Sequence, residues 1–311
     1  FKEHKKTMIL MIFLAGLPLV LVKVLAVFKI SGLGFLGISY MTFKLIQIII
    51  EIYDGLIEKP MGPLDYVHFL LFFPALSSGP IDRSRRFLED WKKQRTKDEY
   101  LELAGTGLFR LVLGLFYKLV ISGMVFQQMT SIRYKDFSFF VIYMYLYTAY
   151  LFFDFAGYSL MAVGASNILG IETPMNFNVP FISVDIKDFW NRWHITLSTW
   201  LRDFVFSRIV MRFMRKKIFK KRLTTAMVAY MINMTFMGFW HGITLNYIAY
   251  GFYHGILMAA FEWYQKKSKF YKKNKNKTWY KVISWIITMH LVMFGFLIFS
   301  GKMSEWARKL I

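Results

Sequence analysis

The sequence predicts an all-α polytopic membrane protein: one helical bundle over residues 1–311, with re-entrant or broken helices in it. Three observations predict this. Hydrophobic residues make up 56% of the chain and charged residues 19%, against about 45–50% and about 25% in soluble domains. Six stretches approach the roughly 20 apolar residues that a spanning helix needs: 8–28, 104–127, 137–163, 223–241, 244–264 and 281–300. Basic runs lie between such stretches, the pattern of cytoplasmic loops.

Taken in order, the chain opens on Phe1 rather than Met, and an apolar segment follows almost at once. This reads as a start from which native sequence is missing. The segment lacks the small-residue site of a cleavable signal peptide. A weaker stretch, 35–57, carries Lys44, Gln47 and Glu51 at three- and four-residue spacing. That spacing makes a polar stripe that should face the bundle interior. Tyr66 to Pro80 contains Pro74, Ser77, Ser78, Gly79 and Pro80 and reads as a half-helix that stops inside the protein. Residues 171–210 hold Pro174 and Pro180, then a Trp-rich amphipathic run. Irregular backbone at membrane depth survives only around protein or a water-filled cavity, so two such segments predict a cavity. The Lys/Asn tract 266–278 reads as a solvated loop.

Net charge is +21. Seven basic residues fall between Arg83 and Lys97, seven between Arg212 and Arg222, and eight between Lys266 and Lys281. With the first two runs cytoplasmic, 104–127 and 137–163 cross out and back. Residues 171–210 then begin and end on the cytoplasmic side, and His241 lies toward the outer end of its helix. No nucleic-acid signature accompanies the charge, and no nucleic-acid partner is expected. Absence of cysteine excludes a disulfide, a thiolate metal site and a Cys nucleophile. There is no G-x-S-x-G elbow, H-E-x-x-H or Walker A loop. His4, His68, His254 and His290 show no metal-ligand spacing, and Tyr253-His254-Gly255 reads as helix packing. No metal is expected.

Three groups carry possible chemistry, since polar residues inside a membrane are costly and mark function by default. The first is Phe239-Trp240-His241-Gly242. A neutral imidazole there can take a proton from a hydroxyl, Gly242 allows close approach, and Asn233 lies two turns back on the same face. The alternative is a structural histidine bonded to a neighbouring carbonyl. The second is the run Asp188–Asp203. Read as a helix, it puts Trp190, Trp193, Leu197, Trp200 and Phe204 on an apolar face and Asn191, His194, Ser198 and Arg202 on a polar one. Either it is an interfacial helix or its polar stripe lines the cavity. The third is Asp154, inside an aromatic helix, which must pair: with Tyr158, with an arginine or with a cationic substrate group.

Together these motifs resemble the membrane-bound O-acyltransferase (MBOAT) superfamily. Trp193-His194-Ile195-Thr196-Leu197-Ser198 precedes Phe239-Trp240-His241-Gly242 by about fifty residues, as in that family. Leu76-Ser77-Ser78-Gly79-Pro80-Ile81-Asp82-Arg83 and the run Phe153 to Gly164 are similar to its teichoic-acid D-alanyltransferase branch. The alginate O-acetylating branch tends to carry an acidic residue where this chain has Leu160. The match covers about Pro74 to Gly255, and the family's usual first helices are expected to be missing, in keeping with the start at Phe1.

The resemblance implies a helical bundle around a central tunnel, with His241 and His194 as catalytic residues. It implies no bound cofactor. The acyl donor would be the phosphopantetheine arm of a small acidic D-alanyl carrier protein on the cytoplasmic side. The acceptor would be teichoic acid or an intermediate on the outer side of a plasma membrane, and the composition suits a low-GC Gram-positive bacterium. The tunnel walls would include Trp190, Asn191, Ser198, Asn233 and Asp154, the last as counter-charge to the D-alanyl ammonium. Phe206, Ile209, Val210 and Phe213 form an apolar stripe beside Arg208, Arg212 and Arg215, with Arg222 close behind. Such a strip suits an acidic carrier, or else anionic membrane lipid. Two alternatives remain: an O-acetyltransferase of the same fold, and a transporter or flippase, which shares the broken helices but does not require the His motifs.

Overall fold

The computed structural model describes residues 4–28, 37–57, 61–132 and 138–305. Phe1, and residues 35, 36 and 137 at the starts of two predicted segments, lie outside them. The described residues are helical with no strand. The chain divides into two compact units, one of Phe1–Val120 with Asp154–Asn176, the other of Ile121–Phe153 with Phe177–Ile311.

The first unit contains α1 (Lys5–Val27), α2 (Ile38–Tyr53), α3 (Pro63–Leu71), α4 (Ser84–Trp91), α5 (Lys97–Leu115) and the second half of α7 (Ser138–Ile168). The polar stripe of α2 faces inward as its spacing predicts: Lys44, Gln47 and Glu51 are all buried. Each makes a hydrogen bond to a neighbour, although the Gln47 amide nitrogen is buried with no partner among the described residues. Lys44 Nζ donates to the Phe69 carbonyl at 2.9 Å, Ser84 Oγ donates to Glu51 at 2.7 Å, and Arg83 donates to Gln47 Oε1 at 3.4 Å. The half-helix predicted over 66–80 is α3, which stops before a 3₁₀ turn at Phe73–Ala75, where Pro74 denies the ladder an N–H. α5 starts on a capping box, in which Thr96 accepts from the Glu99 backbone and Glu99 reaches back. α5 and α7 touch backbone to backbone: a Cβ on Gly114 would lie 2.6 Å from the Gly157 carbonyl, the small-residue packing of membrane helices.

The second unit holds α6 (Ser122–Ser131), the first half of α7, α8 (Ile186–Arg192), α9 (Ile195–Leu201), α10 (Ser207–Arg215), α11 (Arg222–His241), α12 (Leu245–Lys267), α13 (Lys269–Asn274) and α14 (Thr278–Phe299). α11 and α12 form a tight hairpin. A Cβ on Gly251 would fall 2.9 Å from the Gly238 Cα, so neither position admits a side chain.

Among the described residues, four helical segments are long and apolar enough to cross a membrane: Lys5–Ala26, Lys97–Ser131, Ser138–Ile168 and Thr278–Phe299. The second contains a π-helical turn at Phe116–Ile121 that joins α5 to α6. The predicted segments 223–241 and 244–264 do form helices, but they are not among those four. Polar residues that they bury, Asn233 on α11 and His254 and Glu262 on α12, face protein rather than lipid.

Two predictions need correcting. The run Asp188–Asp203 is not one helix. α8 ends at Arg192, Trp193 is extended, and His194 takes a left-handed φ of 44° as the N-cap of α9. That conformation is costly outside glycine, about 1–3 kcal/mol, and clusters at functional sites. The Lys/Asn tract 266–278 is not an open loop. It contains α13, capped by Ser268, whose hydroxyl accepts from Tyr271 N. Tyr271 is buried against Phe261, Tyr264 and Tyr280, which folds the tract onto its neighbours despite its lysines.

Candidate active site

The second unit encloses a cavity of about 190 Å³ between the α8–α9 segment and the α11–α12 hairpin. Trp190 and Asn191 of α8, Ser198 of α9, Arg202 and Phe206 of the π-helical turn after it, and Tyr230 and Asn233 of α11 line it. Asn191, Ser198 and Arg202 therefore share the wall predicted from their spacing, even though the helix carrying them breaks at His194. The break turns His194 away from that wall into protein, where it is buried.

Two atoms of the wall stand out. The Trp190 indole N–H and the Asn233 side-chain oxygen are buried, and neither has a hydrogen-bond partner among the described residues. Leaving such a group unmatched costs about 1–3 kcal/mol, so a spare donor and a spare acceptor on two residues that line one cavity mark it as a place for a ligand with complementary groups. Met234, Met237 and Met258 supply the apolar lining, and thioether chains adapt to irregular shapes.

The two histidines are not part of this cavity's lining, but each lies one turn from a residue that is. Ser198 is one turn after His194, and Met237 is one turn before His241. Trp240 bridges them, its ring centroid 6.2 Å from that of His194 and 4.6 Å from that of His241. His241 is half-buried and rests against Phe299, Tyr247 and Tyr250, with ring centroids 5.1, 6.2 and 6.2 Å away. His194 lies outside the spanning helices. Burial, and secondarily the neighbouring His241, hold its imidazole well below the ordinary range, which keeps it neutral.

Elsewhere the lining is basic and aromatic. Phe206 stacks on Tyr230 with centroids 4.4 Å apart, so this member of the predicted docking stripe faces the cavity. Ile209, Val210 and Phe213 are half-buried, and the apolar side chains that α10 exposes are Met211 and Met214, beside Arg212 and Arg215. Arg222, the first residue of α11, is exposed.

Asp154 belongs to the first unit. Its partner is neither Tyr158 nor an arginine but Lys118, on the π turn, while Tyr158 is hydrogen-bonded to Ser77. His254 is fully buried among Trp190, Tyr250 and Tyr253, which is the packing expected of it. Sequence reasoning missed Lys187 and Tyr230, which also line the cavity. Lys187 donates to Glu262 and to Gln265 Oε1. Tyr230 had a signal, since it precedes Asn233 by three residues on one face of α11.

Residues 53–303 match the MBOAT, or membrane-bound O-acyltransferase, family. This chain belongs to that family. It is an O-acyltransferase and a multi-pass plasma-membrane protein. Relatives named teichoic acid D-alanyltransferase include one from Bacillus subtilis (strain 168), 46% identical over 87% of this chain and 69% of that protein. Another, from Streptococcus thermophilus, is 43% identical over 99% of this chain and 79% of that protein. More distant is a peptidoglycan O-acetyltransferase from Helicobacter pylori, 31% identical over 80% of this chain and 46% of that protein. The MBOAT assignment places the broken α8–α9 segment and the α11 terminus, with their histidines, within the matched region.

Proposed function

We propose that this MBOAT enzyme moves D-alanine from a carrier-protein thioester, across the membrane, to a hydroxyl of teichoic acid or of an intermediate acceptor. The observation that carries the proposal is the cavity with an unmatched donor and acceptor among its lining residues and two histidines each one turn from that lining. The names of the relatives at 43% and 46% identity support D-alanyl rather than acetyl transfer, for which the named relative stands at 31%.

The chemistry needs few groups. A thioester is already activated, so attack by an alcohol requires only that the hydroxyl lose its proton. His241, half-buried at the end of α11, is the base in this reading. The hydroxyl oxygen bonds to the thioester carbonyl carbon, the carbon–sulfur bond breaks, and the proton passes through the imidazole to the departing thiolate. Neutral His194 positions the acceptor side of the site through Trp240. The phosphopantetheine arm enters from the Phe206–Tyr230 end. Its amides meet Asn233 Oδ1 and the Trp190 N–H, and the carrier docks on α10, where arginines steer an acidic partner and apolar side chains hold it.

Reconstitution with D-alanyl-loaded carrier tests the reading. Wild type should discharge the thioester into an ester product and His241→Ala should not. Discharge by His241→Ala at the wild-type rate overturns it. Val210→Asp should abolish carrier pull-down without altering the protein's elution, and unchanged capture refutes the dock.

A further inference from the structure

A second opening in the second unit has no place in acyl transfer. It is a groove of about 480 Å³ between α12 and α14, inside the range of about 300–1,000 Å³ typical of ligand sites. Leu257 and Phe261 form one wall at four-residue spacing, and Ile283, Ile287 and Leu291 form the other. α14 is apolar enough to cross a membrane, so the groove runs along a helix bathed in lipid. Its polar lining is already committed. Ser284 and Thr288 donate to the Val184 carbonyl, and the Asp185 carboxylate caps α8 by accepting from Lys187 N and Asp188 N. What the groove offers a guest is hydrocarbon contact.

Its other end is of opposite character. Trp279 and Tyr280 line the groove where α14 begins, the place of interfacial aromatics at a headgroup boundary. The segment that runs from the end of α12 through α13 into the first turn of α14 carries Lys266, Lys267, Lys269, Lys272, Lys273, Lys275, Lys277 and Lys281, every one exposed. Among the described residues none of the eight makes an ion pair. α13 holds this basic tract against α12 and α14 through buried Tyr271. An apolar trough open to lipid, ending in a fixed cluster of unpaired ammonium groups, fits one class of molecule. We propose that it binds one anionic phospholipid, with an acyl chain in the groove and the phosphate among the lysines. A soluble protein partner fits less well, because the trough follows a spanning helix where only lipid has access.

Native mass spectrometry of the purified full chain tests this, with phosphatidylglycerol or phosphatidylcholine of equal chain length added, and with inorganic phosphate as headgroup alone. One phosphatidylglycerol should be retained per protein at concentrations at least tenfold below those at which phosphatidylcholine is. The Lys273→Ala, Lys277→Ala, Lys281→Ala triple variant should weaken retention by about 100-fold, at about 1 kcal/mol per lysine. Filling the groove by Ile283→Trp or Ile287→Trp should also remove the lipid with all lysines intact. Phosphate should not compete. Equal retention of the two lipids, retention unaffected by filling the groove, or displacement by phosphate alone would each overturn the proposal.

Discussion

The buried stripe of α2 and the wall of the α8–α11 cavity are both polar, and they differ in one respect. On α2, Lys44, Gln47 and Glu51 each reach a partner in a neighbouring segment. In the cavity wall, Trp190 Nε1 and Asn233 Oδ1 reach none among the described residues. Both regions accept the cost of burying polar groups. The first recovers most of it within the fold, all but the Gln47 amide nitrogen, and ties α2 to α3 and α4. The second leaves it unrecovered until something enters. Polarity inside this protein therefore marks function only where it is unsatisfied and adjoins space, and substitutions in the two regions should separate stability from activity.

The largest effect is expected at His241. General-base catalysis is worth about 10²–10⁴ in rate, so His241→Ala should lower D-alanyl transfer by that factor while the thermal unfolding profile in detergent stays close to wild type. A purely structural histidine predicts the reverse: a large drop in unfolding temperature, with activity per folded molecule retained.

Next comes Asn233→Leu. It removes the unmatched oxygen and keeps the branched side-chain skeleton, the two larger methyl groups lying beside the cavity, so thermal stability should hold or rise. Transfer should fall about 5- to 100-fold in kcat/KM, the equivalent of about 1–3 kcal/mol for one lost hydrogen bond in a dry site. Glu51→Ala is the opposite case. It orphans the buried Ser84 hydroxyl and should destabilise by about 1–3 kcal/mol, with transfer by the remaining folded protein unchanged. If both variants lose stability and activity together, the distinction between the two regions fails.

Much of this was legible in the residues. The inward stripe of α2 follows from three- and four-residue spacing, the stop after α3 from Pro74, and the wall of Asn191, Ser198 and Arg202 from the helical period. The break at His194 was not legible. A left-handed φ at a non-glycine residue is imposed by surrounding packing, here Trp193 against Phe177, Phe189 and Phe296, and periodicity carries no trace of it. α13 was hidden for a similar reason. Lys favours a helix and Asn disfavours one, so composition decides nothing here, and what fixes this helix is Tyr271 inserted among aromatics that include Phe261 before it and Tyr280 after. The far wall of the cavity needed Lys187, Tyr230 and Met258 from three separate helices, a juxtaposition that only the tertiary fold creates.

The smallest expected effect tests the same rule at Asp154. An aspartate in an apolar helix invites a substrate role, here as counter-charge to an ammonium. The structure gives it Lys118 instead, and the two side chains are 35% and 31% exposed. A pair that open contributes about 0–1 kcal/mol, and its carboxylate is occupied. Asp154→Asn should therefore cost at most about 1 kcal/mol in thermal stability and leave kcat/KM for the D-alanyl-loaded carrier within about twofold, since satisfied polarity, on this reasoning, does no binding. A tenfold or larger rise in KM, with stability unchanged, would show that Lys118 yields the carboxylate to the substrate ammonium. A matched polar group would then be able to serve function by exchanging partners.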